Sequence, residues 1–392
     1  MEKYDYVIVG AGLFGAVFAR QMTDRGFRCL VLERRTHVGG NCHTETREGI
    51  RVHVYGPHIF HTDREEVWAY VRRFCTFNHF VNRPKVFYRG KIFSFPINLM
   101  TLYQLWGVST PREAEEALAR KRVHLDREPA NLEEWVLSQV GREIYEIFIR
   151  GYTEKQWMRS PRELPASIVQ RVPIRLNFDD NYYSHPYQGI PVNGYTDMVR
   201  KMLEGIEVRL NTDFFDARDY WLKQGRKVVY TGRIDEFFDF RLGELAYRTL
   251  DFRTRFLPDV PDYQGNAVIN YTDREIPFTR VIEHKHFDFR KAPHTIVTEE
   301  YPVAWRKDLI PYYPVNDRRN NEIYRRYREM ARKHGRLILG GRLAEFRYYD
   351  MDQVIHAALK AAEKEAPVER MPIPVRGRAQ PLRKRRAHGA WK

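Results

Sequence analysis

The first forty residues carry glycines and an acid at the spacing that binds a dinucleotide. Gly10, Gly12 and Gly15 directly follow an apolar run, and Glu33 lies eighteen residues beyond the last of them. In such a turn the first glycine permits the tight bend, the second lets the backbone approach a pyrophosphate, and the third allows close helix–strand packing. The helix N-terminus supplies N–H groups to the anion, and the acid accepts hydrogen bonds from a ribose. The alternative interpretation is a purely structural glycine turn.

The elements around these residues are predicted to form a βαβ unit. Apolar strands are predicted over 4–9 and 29–32, and an amphipathic helix between them ends near Arg25. This order places the glycine turn at the carboxyl end of the first strand and Glu33 at the carboxyl end of the second. A strand–turn–helix context of this kind makes the glycine spacing far more specific than it is alone.

FAD is favoured over NAD as the dinucleotide. The βαβ unit begins within five residues of the N-terminus, and a glycine doublet at 39–40 follows the acid. Near the other end, GGR at 340–342 and DMD at 350–352 precede a helix predicted over 353–365. Flavoproteins of the glutathione-reductase type close with such a strand–helix unit, whose helix N-terminus points at the flavin. This likeness concerns fold class and does not identify a reaction.

Composition limits the possible classes of protein. A chain of 392 residues that is 43% hydrophobic can bury large cores and is expected to form two or three domains. Its cysteines, Cys29, Cys42 and Cys75, have no paired spacing, which indicates a reducing compartment and argues against disulfides and zinc. No signal-peptide pattern and no apolar run of about 18 residues is found, so a cytoplasmic protein is expected.

The net charge of +15 is unevenly distributed. Residues 370–392 contain eight lysines and arginines and no acid, and several prolines and glycines interrupt them. This segment is predicted to be a disordered basic tail, with contact to a membrane surface or nucleic acid as the alternative. Without the tail the body carries about +7, which fits an anionic substrate.

Periodicity predicts an α/β fold: a discontinuous FAD-binding Rossmann-type domain with an inserted helical domain and an antiparallel β-sheet domain. Helical periods dominate 98–152, whereas alternating apolar runs occur between 247 and 301. Residues 227–231 and 337–339 are predicted to return as strands to the first domain. The predicted boundaries are 1–75, 196–245 and 331–366 for the FAD-binding domain, 76–160 for the helical domain, 161–195 for a mobile loop and the start of the sheet domain, 246–330 for the sheet domain, and 367–392 for the tail.

Longer motifs point to a family. They are YGPHIFHT at 55–62, GYTEKQW at 151–157, QRVPIR at 170–175, DDNYY at 179–183, FTRVIEHK at 278–285 and PYYP at 311–314. Together they closely resemble bacterial UDP-galactopyranose mutases, from the first strand to about residue 365. Met158 is a departure, because family members commonly carry glycine after Gln-Trp. A flavin oxidoreductase related to amine oxidases and a non-catalytic nucleotide-sugar or nucleic-acid binder are the alternatives.

The resemblance implies an isomerase that interconverts UDP-α-D-galactopyranose and UDP-α-D-galactofuranose, supplying galactofuranose for cell-surface glycans. It implies FAD that is active in the reduced form: N5 attacks the anomeric carbon, UDP leaves, and the covalent flavin–galactose adduct opens and recloses as the five-membered ring. It further implies a cellular flavin reductant, NAD(P)H or a reductase, and a homodimer. No nucleic-acid partner and no stable membrane insertion are expected.

The resemblance also implies the site residues. Arg171 and Arg280 match the family's paired arginines, with Arg175 as the neighbouring alternative to Arg171, and His61 completes the predicted catalytic set. The predicted substrate contacts are Arg171, Arg280, Asn82, Tyr152, Thr153, Trp157, Tyr182, Asn270, Tyr313 and Tyr348. The predicted cofactor contacts are Gly10, Gly12, Leu13, Phe14, Gly15, Glu33, Arg34, Gly40, Asn41, His58, Ile59, Arg342, Asp350, Met351, Asp352, Gln353 and Val354.

Two pairs of residues resemble metal ligands. His58 and His61 lie three apart, but no further ligand at a suitable spacing accompanies them. Asp350 and Asp352 imitate the DxD of glycosyltransferases, although their place before the last helix favours a helix cap beside the flavin. No metal is therefore predicted.

Overall fold

The computed structural model describes residues 3–170 and 172–366. The predictions for Arg171 and for the basic segment 367–392 lie outside the described residues. Within them the chain forms the strands β1 Tyr4–Val9, β2 Cys29–Leu32, β3 Thr44–Arg47, β4 Ile50–His53, β5 Phe60–Thr62, β6 Lys85–Tyr88, β7 Lys91–Ser94, β8 Tyr187–Gly189, β9 Glu207–Arg209, β10 Gly225–Tyr230, β11 Tyr247–Leu257, β12 Val268–Tyr271, β13 Arg280–Glu283, β14 Thr295–Ala304, β15 Tyr313–Pro314 and β16 Leu337–Leu339.

Twelve α-helices lie among the described residues. They are α1 Leu13–Thr23, α2 Glu65–Val71, α3 Leu99–Trp106, α4 Pro111–Lys121, α5 Leu132–Ile144, α6 Gly151–Trp157, α7 Gly194–Met202, α8 Arg218–Gln224, α9 Ile234–Phe237, α10 Arg318–Lys333, α11 Gly341–Ala344 and α12 Met351–Glu365. A π-helical turn, Tyr145–Arg150, joins α5 to α6. Among the described residues, none of these helices is long and apolar enough to cross a membrane.

Five parallel strands form the first sheet, in the order β16-β10-β1-β2-β9. All four residues of β2 are buried, as are most of β1, which explains the continuous apolar runs of both strands. Helices α1 and α12 pack together over this sheet. Strands β10 and β16 return to it as predicted, so the Rossmann-type domain is built from segments far apart in the chain.

Seven strands form the second sheet, in the order β15-β11-β14-β13-β12-β6-β7. The strands predicted between 247 and 301 are present and pair antiparallel. A hairpin from the segment predicted as helical, β6 with β7, extends this sheet, and β6 runs parallel to β12. Four-residue strands are too short to give a clear period of two, so the sequence did not reveal the hairpin.

The helical segment has its own core, but its long helix is interrupted. Within 98–152, where helical periods dominate the sequence, the helix breaks at Gly141, whose φ of 78° and ψ of 177° are outside the helical region. A Cβ atom there would lie 2.3 Å from the carbonyl oxygen of Lys121, so only glycine lets the end of α4 approach this closely. The π-helical turn and α6 then continue from α5.

Met158 ends α6 in a left-handed conformation, with φ 50° and ψ 35°. Its N–H donates to the carbonyl of Glu154, as at a helix C-cap, and its side chain is exposed. Glycine adopts this conformation without the clash that a Cβ introduces. The glycine that the family commonly carries here therefore has a backbone reason.

Replacing Met158 with glycine is expected to raise the free energy of unfolding by about 1 kcal/mol, because the left-handed strain disappears. Thermal and urea unfolding of the purified protein measure this change. The matched control is Met158→Ala, which retains a Cβ and should give no gain. Equal stability of the glycine and alanine variants would contradict the prediction.

Candidate functional site

A large cavity opens at the carboxyl edge of the parallel sheet, where ligands bind in open α/β folds. It encloses about 1310 Å³, including its opening to solvent. Its walls come from the β1–α1 turn, the end of β2, the residues after β10, and the α11–α12 segment. The predicted cofactor residues in its lining are Gly10, Gly12, Leu13, Phe14, Gly15, Glu33, Arg34, Gly40, Asn41, His58, Arg342, Met351 and Val354.

Glycine suits each of the three positions of the β1–α1 turn for a different structural reason. Gly10 has φ 106°, and a Cβ there would lie 2.1 Å from Thr231 Oγ1. A Cβ on Gly15 would lie 2.0 Å from the carbonyl oxygen of Gly10, which is the close helix–strand packing expected of the third glycine. By contrast, a Cβ on Gly12 would meet no atom of the described residues nearer than Gly40 Cα, at 3.9 Å. The space beside Gly12 belongs to the cavity and fits a closely approaching ligand.

Glu33 holds this wall of the cavity in place. Its buried carboxylate accepts hydrogen bonds from the backbone N–H groups of Ala11, at 2.8 Å, and Arg35, at 3.0 Å. A carboxylate oxygen accepts more than one hydrogen bond, so Glu33 retains capacity for a ribose hydroxyl. It therefore fixes the glycine turn while lining the site for a ligand.

Arg35 is a cavity residue that the sequence analysis missed. Its guanidinium donates to Asn41 Oδ1 at 2.9 Å and lies 4.5 Å from the centre of the Tyr55 ring. Its Nη1 is buried and has no hydrogen-bond partner among the described residues. A buried donor of this kind calls for an acceptor, which an anionic ligand in the cavity would supply. Arg34, the predicted contact, lies exposed at the rim, and spacing alone does not distinguish the two.

The opposite wall comes from α11 and α12. Arg342 donates to the carbonyls of Tyr349, at 2.7 Å, and Tyr312, at 3.2 Å. Asp350 caps α12 through a capping box with Gln353, and buried Asp352 accepts from Thr62 Oγ1 at 3.1 Å. Asp350, Asp352, Gln353 and Ile59 are not in the cavity lining; the first three orient the helix, and Ile59 packs in the core.

The two predicted histidines have different surroundings. His58 lines the cavity, and its Nδ1 lies 2.9 Å from the carbonyl oxygen of Gly56. Burial lowers the pKa of His58 to about 4, so the ring is neutral at pH 7. His61 is absent from that lining: its Nδ1 lies 2.9 Å from Nδ1 of His185, and its ring stacks on Tyr183 at 3.5 Å.

Arg280 is held by a buried acid. Its Nε and Nη2 both donate to Glu300 Oε1, at 3.1 and 2.8 Å, and Glu300 is fully buried. Burial disfavours the charge on Arg280, but Glu300, Tyr152 and Tyr313 together outweigh this effect and raise the pKa of the guanidinium well above its usual value. Tyr152 and Tyr313 lie close enough to interact electrostatically with it.

Arg342 connects the cavity with the predicted substrate residues. Its guanidinium lies 5.0 Å from the ring of Tyr348 and 6.0 Å from that of Tyr313. These two rings stack with centroids 5.9 Å apart. Asn270 lies directly across from Arg280 in the β12–β13 pair. The structure therefore brings together Arg280, Tyr313 and Tyr348 beside the dinucleotide cavity.

Other predicted substrate residues lie in or beside the inserted helical segment. The N–H of Tyr182 donates to the carbonyl of Asn82 at 2.8 Å, and its ring lies 6.0 Å from Phe95. Trp157 packs against the helical core, and Thr153 is buried. Arg175, the alternative phosphate ligand, donates to Ser184 Oγ at 3.0 Å and to backbone carbonyls of the 179–181 segment. Its donors are committed to holding that segment.

Arg248 is a second buried arginine that the sequence analysis missed. It lies opposite Tyr313 in the β11–β15 pair, and its Nε donates to the carbonyl of Gln156 at 3.2 Å. Its Nη2 is buried without a hydrogen-bond partner among the described residues. Burial and the charge of Arg159 lower the pKa of Arg248. A lone arginine in an alternating strand gave no signal in the sequence.

Family models match most of this architecture. Residues 147–348, about half of the chain, match the model of UDP-galactopyranose mutase, and residues 8–74 match that of the NAD(P)-binding Rossmann-like domain. The chain belongs to the UDP-galactopyranose mutase family. The predicted family and enzyme class are thereby confirmed, and the first domain is a dinucleotide-binding, Rossmann-like domain.

Relatives of the mutase family align over nearly the whole chain. A dTDP-fucopyranose mutase of Escherichia coli is 40% identical over 366 residues, covering 91% of this chain and 97% of that protein. A probable UDP-galactopyranose mutase of Klebsiella pneumoniae is 40% identical over 386 residues, covering 95% and 98%. The crystal structure of a reduced UDP-galactopyranose mutase, 16% identical, covers 93% of this chain and 94% of its own with a TM-score of 0.74. This likeness confirms the predicted fold class.

Gly12→Ala is expected to fold normally but to lose bound dinucleotide. The backbone at Gly12, with φ −76°, suits any residue, and the added methyl group would enter only the cavity. Two measurements test this: the amount of dinucleotide released on denaturation, and the unfolding temperature of the protein after its dinucleotide has been removed. Gly335→Ala, where a Cβ meets nothing within 4 Å, is the matched control. Full dinucleotide content in Gly12→Ala would show that the ligand does not approach this turn.

Proposed function

We propose that this protein interconverts UDP-α-D-galactopyranose and UDP-α-D-galactofuranose with FAD as its cofactor. The main support for this proposal is that one residue, Arg342, borders two neighbouring sites. Arg342 lines the dinucleotide cavity and also lies against the stacked rings of Tyr313 and Tyr348, next to Arg280. A cofactor in the cavity and a nucleotide sugar at the tyrosines would therefore face each other.

The residues of the cavity fit FAD. The N-terminus of α1 and the unpartnered Nη1 of Arg35 offer donors to a pyrophosphate, and Glu33 offers an acceptor to a ribose. Neutral His58 and the N-terminus of α12 lie on the opposite side for the flavin ring. When bound and reduced, FAD would supply a nucleophilic N5 for attack on the anomeric carbon, with UDP as the leaving group.

The chain's own residues would bind and orient the leaving diphosphate. A guanidinium fork suits phosphate oxygens better than a lysine, and Arg280 is kept charged and oriented by Glu300. Tyr313 and Tyr348 can donate hydroxyl groups while their stacked rings limit movement. By motif match we assign Arg171 the same role as Arg280 and place Asn82, Tyr152, Thr153, Trp157, Tyr182 and Asn270 around the nucleotide and sugar. His61 remains a proposed catalytic residue.

The proposal extends to the cellular setting that the family resemblance implies. The galactofuranose product would serve cell-surface glycans, and NAD(P)H or a reductase would keep the flavin reduced in the cytoplasm. We also propose a homodimer. These points rest on the resemblance of the motifs.

A dTDP-linked 6-deoxy sugar is the second candidate substrate. The supporting observation is the E. coli dTDP-fucopyranose mutase, whose 40% identity equals that of the probable UDP-galactopyranose mutase. Both substrates leave a nucleoside diphosphate, so the same arginines and tyrosines serve either reaction. The ratio of kcat/KM for UDP-galactofuranose and dTDP-fucofuranose decides between them.

Activity is expected to depend on one initial reduction of the flavin. An oxidised isoalloxazine is electron-poor at N5 and cannot attack carbon, whereas the isomerisation itself consumes no electrons. The protein should be nearly inactive as isolated in air and should perform many turnovers after one reduction by dithionite. Chromatography of the sugar nucleotides measures the turnover. Hydride trapping should yield a reduced flavin that carries a covalently attached hexose-derived residue, detected by its mass. Full activity with oxidised FAD, or one reductant consumed per product, would favour the flavin oxidoreductase instead.

Arg280→Lys is expected to lower kcat/KM about 100-fold while flavin content stays unchanged, because the ammonium cannot reproduce the fork. Lysine is preferable to alanine here, since removing the charge would leave buried Glu300 unpaired at a cost of roughly 3–5 kcal/mol. Arg51→Lys is the matched control: Arg51 pairs with Asp288 at 2.6 Å, and its side chain is 20% exposed against 22% for Arg280. Equal activity of the two variants would exclude Arg280 from the diphosphate site.

A further inference from the structure

The ammonium group of Lys155 lies at the centre of the connection between β12 and β13. Its Nζ donates to three backbone carbonyls, those of Tyr271 at 2.7 Å, Ile276 at 2.9 Å and Phe278 at 2.9 Å. A lysine ammonium has three N–H groups and no acceptor, so these contacts satisfy it completely. The connection is thus organised around one side chain that comes from another element, α6.

This connection joins two residues of the proposed substrate site. Asn270 lies near the end of β12 and Arg280 begins β13, and they face each other across the pair. The N–H of Tyr271 donates to the carbonyl of Thr279 at 2.8 Å, which closes the connection at its base. The segment beyond that bond is held from inside by Lys155.

Lys155 belongs to the same helix as several proposed substrate contacts. Helix α6 also carries Tyr152, Thr153 and Trp157. A second close contact supports this packing, because a Cβ on Gly151 would lie 2.1 Å from the carbonyl oxygen of Thr272. Helix and connection therefore touch through this steric contact and through the hydrogen bonds of Lys155, and the ion pair of Arg274 with Glu154 joins them on the exposed side.

The charges around Lys155 are consistent with a partly buried ammonium group that is bound by backbone carbonyls. Burial lowers the pKa of Lys155 to about 8, while the nearby Asp273 and Glu275 act in the opposite direction. Asp273 accepts from the N–H of Arg89 at 2.7 Å, and Arg274 pairs with Glu154 at the exposed side. The hydrogen bonds of Lys155 go to carbonyl oxygens, so its role is to order backbone rather than to neutralise an acid.

We propose that Lys155 is a positioning residue that fixes Arg280 and Asn270 relative to the substrate-facing side chains of α6. The inference rests on the proposed function, because it assigns Lys155 to the same nucleotide-sugar site. Loss of its three donors would leave three carbonyls unsatisfied in a partly buried turn and let that turn move. Displacements of about 1 Å in an active site lower rates by about 100-fold.

The test is Lys155→Met, which keeps a long side chain but has no donors. We expect FAD content equal to that of the wild type, UDP affinity lowered about 10-fold and kcat/KM lowered about 10- to 100-fold. Arg274→Ala is the matched control on the same connection, because its ion pair with Glu154 is exposed and contributes little. It should retain wild-type UDP affinity and turnover.

Lys155→Arg separates hydrogen bonding from packing. It keeps N–H donors on a side chain of similar reach, so it should retain more UDP affinity than Lys155→Met; an equal loss in both would overturn the proposal. Unchanged UDP affinity in Lys155→Met, with or without a loss of turnover, would overturn it too. Should the methionine variant not fold, Lys155→Gln takes its place in the same comparison.

Failure of the proposed function has a different outcome. In that case the reduced wild-type protein would not convert UDP-galactofuranose at all. Titrations with UDP and dTDP would still measure whether Lys155 orders a nucleotide site, because they do not depend on turnover. A wild-type protein that converts the sugar while Lys155→Met binds UDP normally would leave the function standing and remove only the positioning role.

Discussion

The close backbone approach at the β1–α1 turn is the constraint on which the rest of the site depends. Gly15 lets α1 lie against the turn, where a Cβ would be 2.0 Å from the carbonyl oxygen of Gly10. On its outer side, a Cβ on Gly340 would lie 2.0 Å from the ring of Phe14. These two contacts bring the first helix and the closing segment of the chain together. The helix N-terminus and α12 can then face one cavity from opposite sides.

The discontinuity of the first domain explains why its cavity adjoins the proposed substrate site. Strand β10 returns to the parallel sheet and ends beside Thr231, and β16 returns just before Arg342. Both β10 and β16 follow an inserted segment, and the residues directly after each strand lie at the edge of the cavity. The inserted sheet is thereby anchored close to the dinucleotide site. Arg342 is where the two sites meet, with the cavity on one side and stacked Tyr313 and Tyr348 on the other.

Buried arginines give this region its capacity for anions. Arg280 is neutralised by Glu300, whereas Arg35 and Arg248 each have a buried guanidinium nitrogen without a partner among the described residues. Burying such donors costs free energy unless an acceptor arrives. Phosphate oxygens of a cofactor or substrate are suitable acceptors, so the cost would be offset in the bound state. The arrangement fits a site whose ligands are two diphosphates.

Local sequence determined the parts of this protein whose signals lie within a short window. The apolar runs of β1 and β2, the glycine turn and Glu33 were predictable because steric and periodic patterns act over a few residues. The longer motifs identified the family by their resemblance to its sequences, and each of them also lies within a short window. The break at Gly141, the parallel pairing of β6 with β12, and the place of Arg35 in the cavity lining beside Arg34 were decided only by the tertiary structure. So were the partners of Lys155 and Arg280, because hydrogen bonds between distant segments depend on how the elements pack, and no local pattern encodes that packing.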